Sequence, residues 1–408
     1  MTETIAIYVH LPWCVQKCPY CDFNSHAQPA RIPEDDYVAA LLADLEDDLE
    51  LAGGRPVGSV FLGGGTPSLF SVRAIATLLD GLAARLPFAA GAELTMEANP
   101  GTVEHGRFAG YRAAGINRVS LGAQTFDARA LKTLGRIHGP LEIGAAVAEL
   151  AAAGLDNFNL DLMYGLPHQT REGALADVEA ALALGPAHLS HYQLTLEPGT
   201  AFYHRPPPLP DEDLAFEMQL DCQGALAAAG YEQYEVSAYA RPGRQCRHNL
   251  NYWRFGDYLG IGAGAHGKLT RGDQIIRTEK PKSPRSYLQG RGMAGAVRRP
   301  VPAAELPFEF MLNALRLNEG FTLAGFEAAT GLPAGVVLAR LQTLIDRGLL
   351  SLAAGRFVPT ESGFRFLNEL QAGFLPDEKE DPARGELYTA RSGLVPLRDF
   401  RDIVRKKP

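Results

Sequence analysis

Through the first half of the chain, apolar residues fall in short runs, and each run closes on polar or glycine-rich positions. Six runs read as strands: AIYVHL, GSVFLGGGTP, ELTMEANP, RVSLGAQTF, NFNLDLMYGLP and HLSHYQLTLEPGT. Between them lie alanine- and leucine-rich segments with helical spacing, such as YVAALLADLEDDLE and LEIGAAVAELAAAG. Strands alternating with helices predict parallel βα units. Asp35 or Asp36 is expected to cap the first helix, and Gly115 and Gly154 stand where helices should stop. Six such units over about 190 residues predict an α/β fold with an incomplete barrel rather than an eight-fold one.

In parallel α/β folds, ligands collect where the strands end. Here those ends carry Cys14, Gly63 to Thr66, Glu97, Asn99, Gln124, Asp161 and Glu197. One polar residue at one strand end is ordinary loop chemistry, but six strand ends carrying them together predict an active mouth.

The pattern changes after Thr200. HRPPPLP is a stiff connector, DEDLAFEMQLDCQGALAAAG is a helix, and HNLNYWRFGDYLGIGAGAHG is aromatic and glycine-rich. Residues 268–302 read as a basic linker. From 303 to 375, three short helices, a hairpin and a last helix predict a winged-helix-like α+β domain. DNA binding is the obvious function of that shape, but the charges oppose it. Over 303–375 there are 5 Arg against 7 Asp or Glu, net −2. Arg340 and Arg347 alone would grip phosphate weakly, so the domain reads as a packing or partner module. The tail, 376–408, is expected to be partly disordered.

Composition narrows the class. The 408 residues are 46% hydrophobic and 21% charged, with a net charge of −8, which argues against nucleic acid as a partner. No basic segment followed by an apolar run opens the sequence, and no stretch is long and apolar enough to span a bilayer. A cytoplasmic protein is expected, with peripheral membrane contact left open. Five cysteines, two of them the distant Cys222 and Cys246, do not make a disulfide scaffold.

The other three, Cys14, Cys18 and Cys21, form CxxxCxxC within YVHLPWCVQKCPYC. A zinc site borrowing His10 or His26, a disulfide with one thiol over, three unrelated core residues and an iron–sulfur cluster compete for this loop. A 4Fe–4S cluster has four irons held by thiolates. Three thiolates on one tight loop leave one iron open, which is useful for binding a small molecule.

CxxxCxxC after the first strand and GGGTP after the second resemble the radical S-adenosylmethionine (SAM) superfamily. More narrowly, YVHLPWCVQKCPYC, FLGGGTPS, MEANP, SLGAQTF, LGRIHG and NLDLMYGLP resemble the oxygen-independent coproporphyrinogen III oxidase family, from about residue 5 to 370. The resemblance implies a partial (β/α)6 radical-SAM barrel over 1–267 and a C-terminal domain whose winged shape does not read DNA. It implies that Cys14, Cys18 and Cys21 hold a 4Fe–4S cluster whose open iron takes the amino and carboxylate groups of SAM. Gly63, Gly64, Gly65 and Thr66 would line the methionine end, where missing side chains allow close approach. Tyr8 and Tyr20 match aromatic positions near the cofactor, and Glu97, Gln124, Arg136 and Asp161 match its polar contacts.

Two departures bear on function. Where the oxidases carry a further cysteine, two positions after the third ligand, this chain has Phe23. HNLNYW, His248 to Trp253, resembles the HNxxYW motif of the HemW branch, whose members look like haem chaperones. That resemblance implies that the chain binds haem and passes it to an acceptor protein. His248 would be the axial ligand, Tyr252, Trp253 and Phe255 the apolar wall, and Cys246 an alternative thiolate ligand. The alternative keeps cluster and SAM but makes the protein a radical oxidative decarboxylase of coproporphyrinogen III.

Overall fold

The computed structural model describes residues 4–101, 106–290 and 296–376. The expectation for the tail therefore lies almost wholly outside the described residues.

All six expected strands form: β1 (Ile5–Leu11), β2 (Val57–Gly64), β3 (Phe88–Ala98), β4 (Arg118–Gln124), β5 (Phe158–Tyr164) and β6 (His188–Gln193). They run parallel, in chain order, across one sheet. Continuous apolar runs fit them because helices cover the outer face and side chains fill the inner one; β1 is buried at six of its seven positions. The register pairs Leu11 with Gly64, Leu62 with Met96, Ala98 with Leu121 and Tyr164 with Gln193. Neighbouring strands therefore end close to one level, which gathers their terminal residues at one mouth.

The first helix, Glu34–Ala52, begins two or three residues earlier than a cap at Asp35 or Asp36 would place it. Pro33 is its N-cap and no side chain caps it. Asp35 and Asp36 instead lie in the first turn, where their charge meets the positive end of the helix.

The sheet extends at both edges. β7 (Glu232–Glu235) and β8 (Ala238–Ala240) add antiparallel strands beyond β6. On the other side β9 (Tyr258–Ile261) pairs in parallel with β1, and β10 (His266–Arg271), β11 (Gln274–Glu279) and β12 (Val297–Pro300) follow antiparallel. The reading of 268–302 as a linker is thus corrected: it carries most of three strands. Its basic residues are anchors. Lys280, 2% exposed, donates to Asp48 at 2.8 Å, and Arg298 donates to Asp48 at 2.7 Å. Lys280 and Asp48 both leave water, so their pairing is what makes their burial tolerable, while Arg298 reaches in from the surface.

The C-terminal unit is as expected: helices Leu306–Ala314, Leu323–Thr330 and Gly335–Asp346, the hairpin Leu350–Ala353/Arg356–Pro359, then short helices. Its core of Phe310, Phe321, Phe326, Leu341 and Leu370 is continuous with Phe255 and Ile275 of the sheet extension.

Candidate functional site

The loop after β1 carries the three cysteines, all free and half-buried. Tyr37 and Trp13 wall its base. Asn24 staples its far side, donating from Nδ2 to the carbonyls of Ala263 and Lys282, both at 2.9 Å, and accepting from His26 at 3.2 Å. His10 Nε2 bonds the Asn24 carbonyl at 3.0 Å, and its Nδ1 meets the Tyr8 hydroxyl at 3.0 Å. Burial lowers His10 to about 4, so the ring is neutral: Tyr8 donates to Nδ1 and Nε2–H donates to the loop.

The loop opens onto a cavity of about 440 Å³, a size that suits a small-molecule ligand. Cys14, Cys18, Cys21, Tyr20, Gly64, Gly65, Thr66, Glu97, Asn99, Gln124, Arg136, Asp161 and Tyr192 line it. Most expected residues are therefore brought together. Tyr8 and Gly63 are not on the lining: Tyr8 lies beneath it, stacked on Phe61, and Gly63 packs behind Glu97.

Gly64 and Gly65 line the cavity, and the glycine run also does a structural job. Gly64 has φ +101°, and a Cβ there would lie 2.3 Å from the His10 ring. A Cβ on Gly65 would lie 2.6 Å from the Leu11 and Trp13 carbonyls. These glycines let β2 end against the root of the cysteine loop, which positions the Gly64 N–H, 3.2 Å from Glu97 Oε2.

Burial pushes Glu97 up to about 8, the nearby Asp161 adds to the shift, and the Gly64 N–H opposes it. Asp161 is also raised by burial, while Asn159 at 2.8 Å and Ser120 at 3.0 Å hydrogen-bond its oxygens. Gln124 sits at φ +68°, where β4 breaks register, and accepts from Tyr192 at 3.0 Å. Arg136 donates to the Gly122 carbonyl at 2.8 Å and to the Asn99 side chain, and its Nη1 lies 3.7 Å from Cys18 Sγ. Its Nε is buried with no protein partner.

The donor set fits a cluster better than a single ion. No group of three His, Cys, Asp or Glu among the described residues converges on one metal. A cluster does not require that, because each thiolate binds a different iron. The Arg136 cation beside Cys18 suits the negative charge of a thiolate-bound cluster, and its unpartnered Nε suits a further polar ligand atom.

HNLNYW lies elsewhere. It forms the helix Arg247–Trp253 beneath the barrel, at the starts of the strands. Glu93, midway along β3 and paired with Ser59 near the start of β2, accepts from the N–H groups of Arg247 and His248, both at 3.1 Å, and from Cys246 Sγ. His248 is 1% exposed, and its two ring nitrogens bond Ser59 at 3.0 Å and Tyr252 at 2.9 Å. Burial lowers it to about 3. The expectation of His248 as an axial ligand is corrected: both ring nitrogens are spent on hydrogen bonds inside the protein. Cys246 is fully buried, and burial pushes its thiol up to about 12, so it offers no thiolate. Tyr252, Trp253 and Phe255 do line one crevice, but it holds only about 190 Å³.

Asn24 and Tyr192 belong to the site and were not singled out from the sequence, and Asn99 was noted there only as a strand-end residue. Only Asn99 and Tyr192 carried a signal, as strand-end positions.

A partial barrel with three free cysteines at its mouth defines a radical SAM protein. The radical SAM superfamily model matches residues 8–181, and the HemN C-terminal domain model matches 301–366. The chain is 54% identical to "Heme chaperone HemW" of Escherichia coli (strain K12), covering 91% of this chain and 98% of that protein. It is 38% identical to the protein of the same name from Mycobacterium tuberculosis (strain ATCC 25618 / H37Rv), over 88% and 92%. This chain belongs to the HemW family. Among solved structures, coproporphyrinogen III oxidase (HemN) from Escherichia coli superposes with TM-score 0.77 over 91% of this chain and 90% of that one, at 23% identity. That likeness is one of fold.

Proposed function

We propose that this chain is a cytoplasmic haem carrier that binds haem and delivers it to an acceptor protein. It does so with a 4Fe–4S cluster on Cys14, Cys18 and Cys21 and SAM in the adjoining cavity. The observation that carries the reading is the 54% identity to a heme chaperone along 98% of that protein's length. Phe23 supports it, because it stands 61% exposed on the cavity rim where the oxidases carry a cysteine. Among the described residues no helix is long and apolar enough to cross a membrane.

When bound, the cluster supplies an open iron for the amino and carboxylate groups of SAM. The chain's own residues do the rest. Arg136 offsets thiolate charge at Cys18, and Glu97, held by the Gly64 N–H, presents a carboxyl to the cavity. Gln124, Asp161 and Thr66 offer further polar contacts, and Tyr20 closes one wall.

The test is anaerobic cluster reconstitution followed by haem titration with and without SAM, then addition of apomyoglobin as a generic acceptor. The reading predicts a Soret band that moves to the myoglobin position on transfer. It also predicts no multiple-turnover conversion of coproporphyrinogen III to protoporphyrinogen IX. Absence of haem binding under every condition, or sustained turnover of coproporphyrinogen, overturns it.

A further inference from the structure

We infer that His188 is a positioning residue for Asp161. With Asn159 and Tyr234 it forms a one-way chain of hydrogen bonds that holds the Asp161 carboxylate as an acceptor toward SAM. The inference rests on the reading of the cavity as the SAM site.

The interior of a βα barrel is normally filled by layers of branched apolar side chains. Here the layer beneath the cavity is polar. The register sets Ser120 beside Asn159 and Asn159 beside His188, in one row across β4, β5 and β6. Asp161 and Ser190 lie two residues further along their strands and pair with each other. Side chains two apart on a strand share a face, so the row sits directly below Asp161, which lines the cavity. Asn159 and His188 are each 1% exposed.

The direction of every bond in the chain is fixed. An ionised carboxylate only accepts. Asn159 therefore turns Nδ2 toward Asp161 Oδ1 at 2.8 Å and Ser120 Oγ at 2.7 Å, and Ser120 donates in turn to Asp161 Oδ2 at 3.0 Å. That leaves Asn159 Oδ1 as an acceptor, 2.7 Å from His188 Nδ1 and 3.2 Å from Ser190 Oγ. His188 thus carries its proton on Nδ1. Burial and the nearby Arg118 hold the ring neutral, so Nε2 accepts from the Tyr234 hydroxyl at 2.8 Å. The Tyr234 oxygen accepts from the Cys246 N–H at 3.3 Å.

Each donor in the series from Cys246 to Asn159 points toward the mouth, and hydrogen bonds in such a row polarise one another. The chain starts at the lower helix, whose N-cap is Cys246, and ends on a carboxylate open to the cavity. Burial raises Asp161, and the donors aimed at its oxygens oppose that rise. His191, on the opposite face of the same strand, shows what packing alone looks like. Its ring stacks on Tyr164 at 4.8 Å and its Nδ1 has no partner.

The test is SAM calorimetry on the cluster-reconstituted full chain, in wild type, His188→Leu, His188→Asn and Asp161→Ala. His188→Leu removes the donor to Asn159 and should weaken SAM binding at least about five-fold, with cluster iron retained. His188→Asn can place an amide N–H where Nδ1–H stood, and should bind SAM within about two-fold of wild type even where both variants lose stability alike. Ring-nitrogen NMR shifts of the histidine-labelled apo-protein should show wild-type His188 as the neutral Nδ1–H tautomer, and Tyr234→Phe should mix the tautomers. Wild-type SAM affinity in His188→Leu, equal losses in the two His188 variants, or an Nε2–H tautomer in wild type overturns the assignment while leaving SAM in the cavity. Wild-type affinity in Asp161→Ala defeats the reading of Asp161 as a SAM contact, and the assignment with it.

Discussion

The two ends of the barrel use the same residue types to opposite effect. At the strand starts, Glu93, Cys246 and His248 are all paired inside the protein, and the helix Arg247–Trp253 closes the barrel. At the strand ends, Glu97, Cys14, Cys18, Cys21 and Arg136 face a cavity, and Arg136 Nε lacks a protein partner. A histidine or cysteine in a motif is available for ligation only where the fold leaves its donor atoms unspent. The upper end is built to receive a ligand and the lower end to hold the barrel shut.

Variants at each end should therefore fail differently. Replacing Cys14, Cys18 or Cys21 with Ala should abolish the cluster's iron and its visible absorbance, measured after reconstitution, with the thermal midpoint of the apo-protein little changed. Cys222→Ala and Cys246→Ala should keep the full iron content. Retained iron in the loop variants would erase the contrast.

Glu93→Ala should cost about 1–3 kcal/mol in denaturant unfolding, because it leaves the buried N–H groups at the start of the lower helix without their acceptor. A cost below about 1 kcal/mol would show that the lower end is not held as described.

Asp161→Ala should weaken SAM binding by about 1–3 kcal/mol while sparing the cluster. Gly64→Val should impair both, because its side chain would displace His10 and with it the cysteine loop. Unchanged SAM affinity by calorimetry in both variants would remove SAM from this cavity.

The smallest effect is a pH dependence. Glu97 is raised from the ordinary carboxyl value of 4.5 to about 8. Below pH 4.5 it is protonated in both folded and unfolded chains, and its stability contribution is fully present. As pH rises to 8 the unfolded chain releases the proton first, so stability falls. Glu97→Gln should remove this decline, a gain of roughly 1–2 kcal/mol at pH 8 after discounting for solvent in the cavity. Parallel pH–stability curves for the two proteins would contradict the assigned shift.

The βα barrel, the cysteine loop and the C-terminal unit were legible because each is written in local pattern: apolar runs, three closely spaced thiols, and helical spacing before a hairpin. Residues 268–302 were misread because Lys280 and Arg298 look solvated until Asp48, more than 200 residues away, is placed beside them. His248 was misread for the same reason. Its partners Ser59 and Glu93 come from other strands, and only the fold shows that it is spent. The structural job of the glycine run was not legible, since the His10 ring that excludes a side chain at Gly64 belongs to the neighbouring strand.

The most direct test of the contrast is haemin titration of the reconstituted His248→Gln variant beside wild type, with thermal unfolding followed on the same samples. His248→Gln should unfold at a lower temperature with unchanged Soret maximum and haem affinity. A variant that unfolds at the wild-type temperature but loses the wild-type Soret band would place haem at the lower end and contradict it.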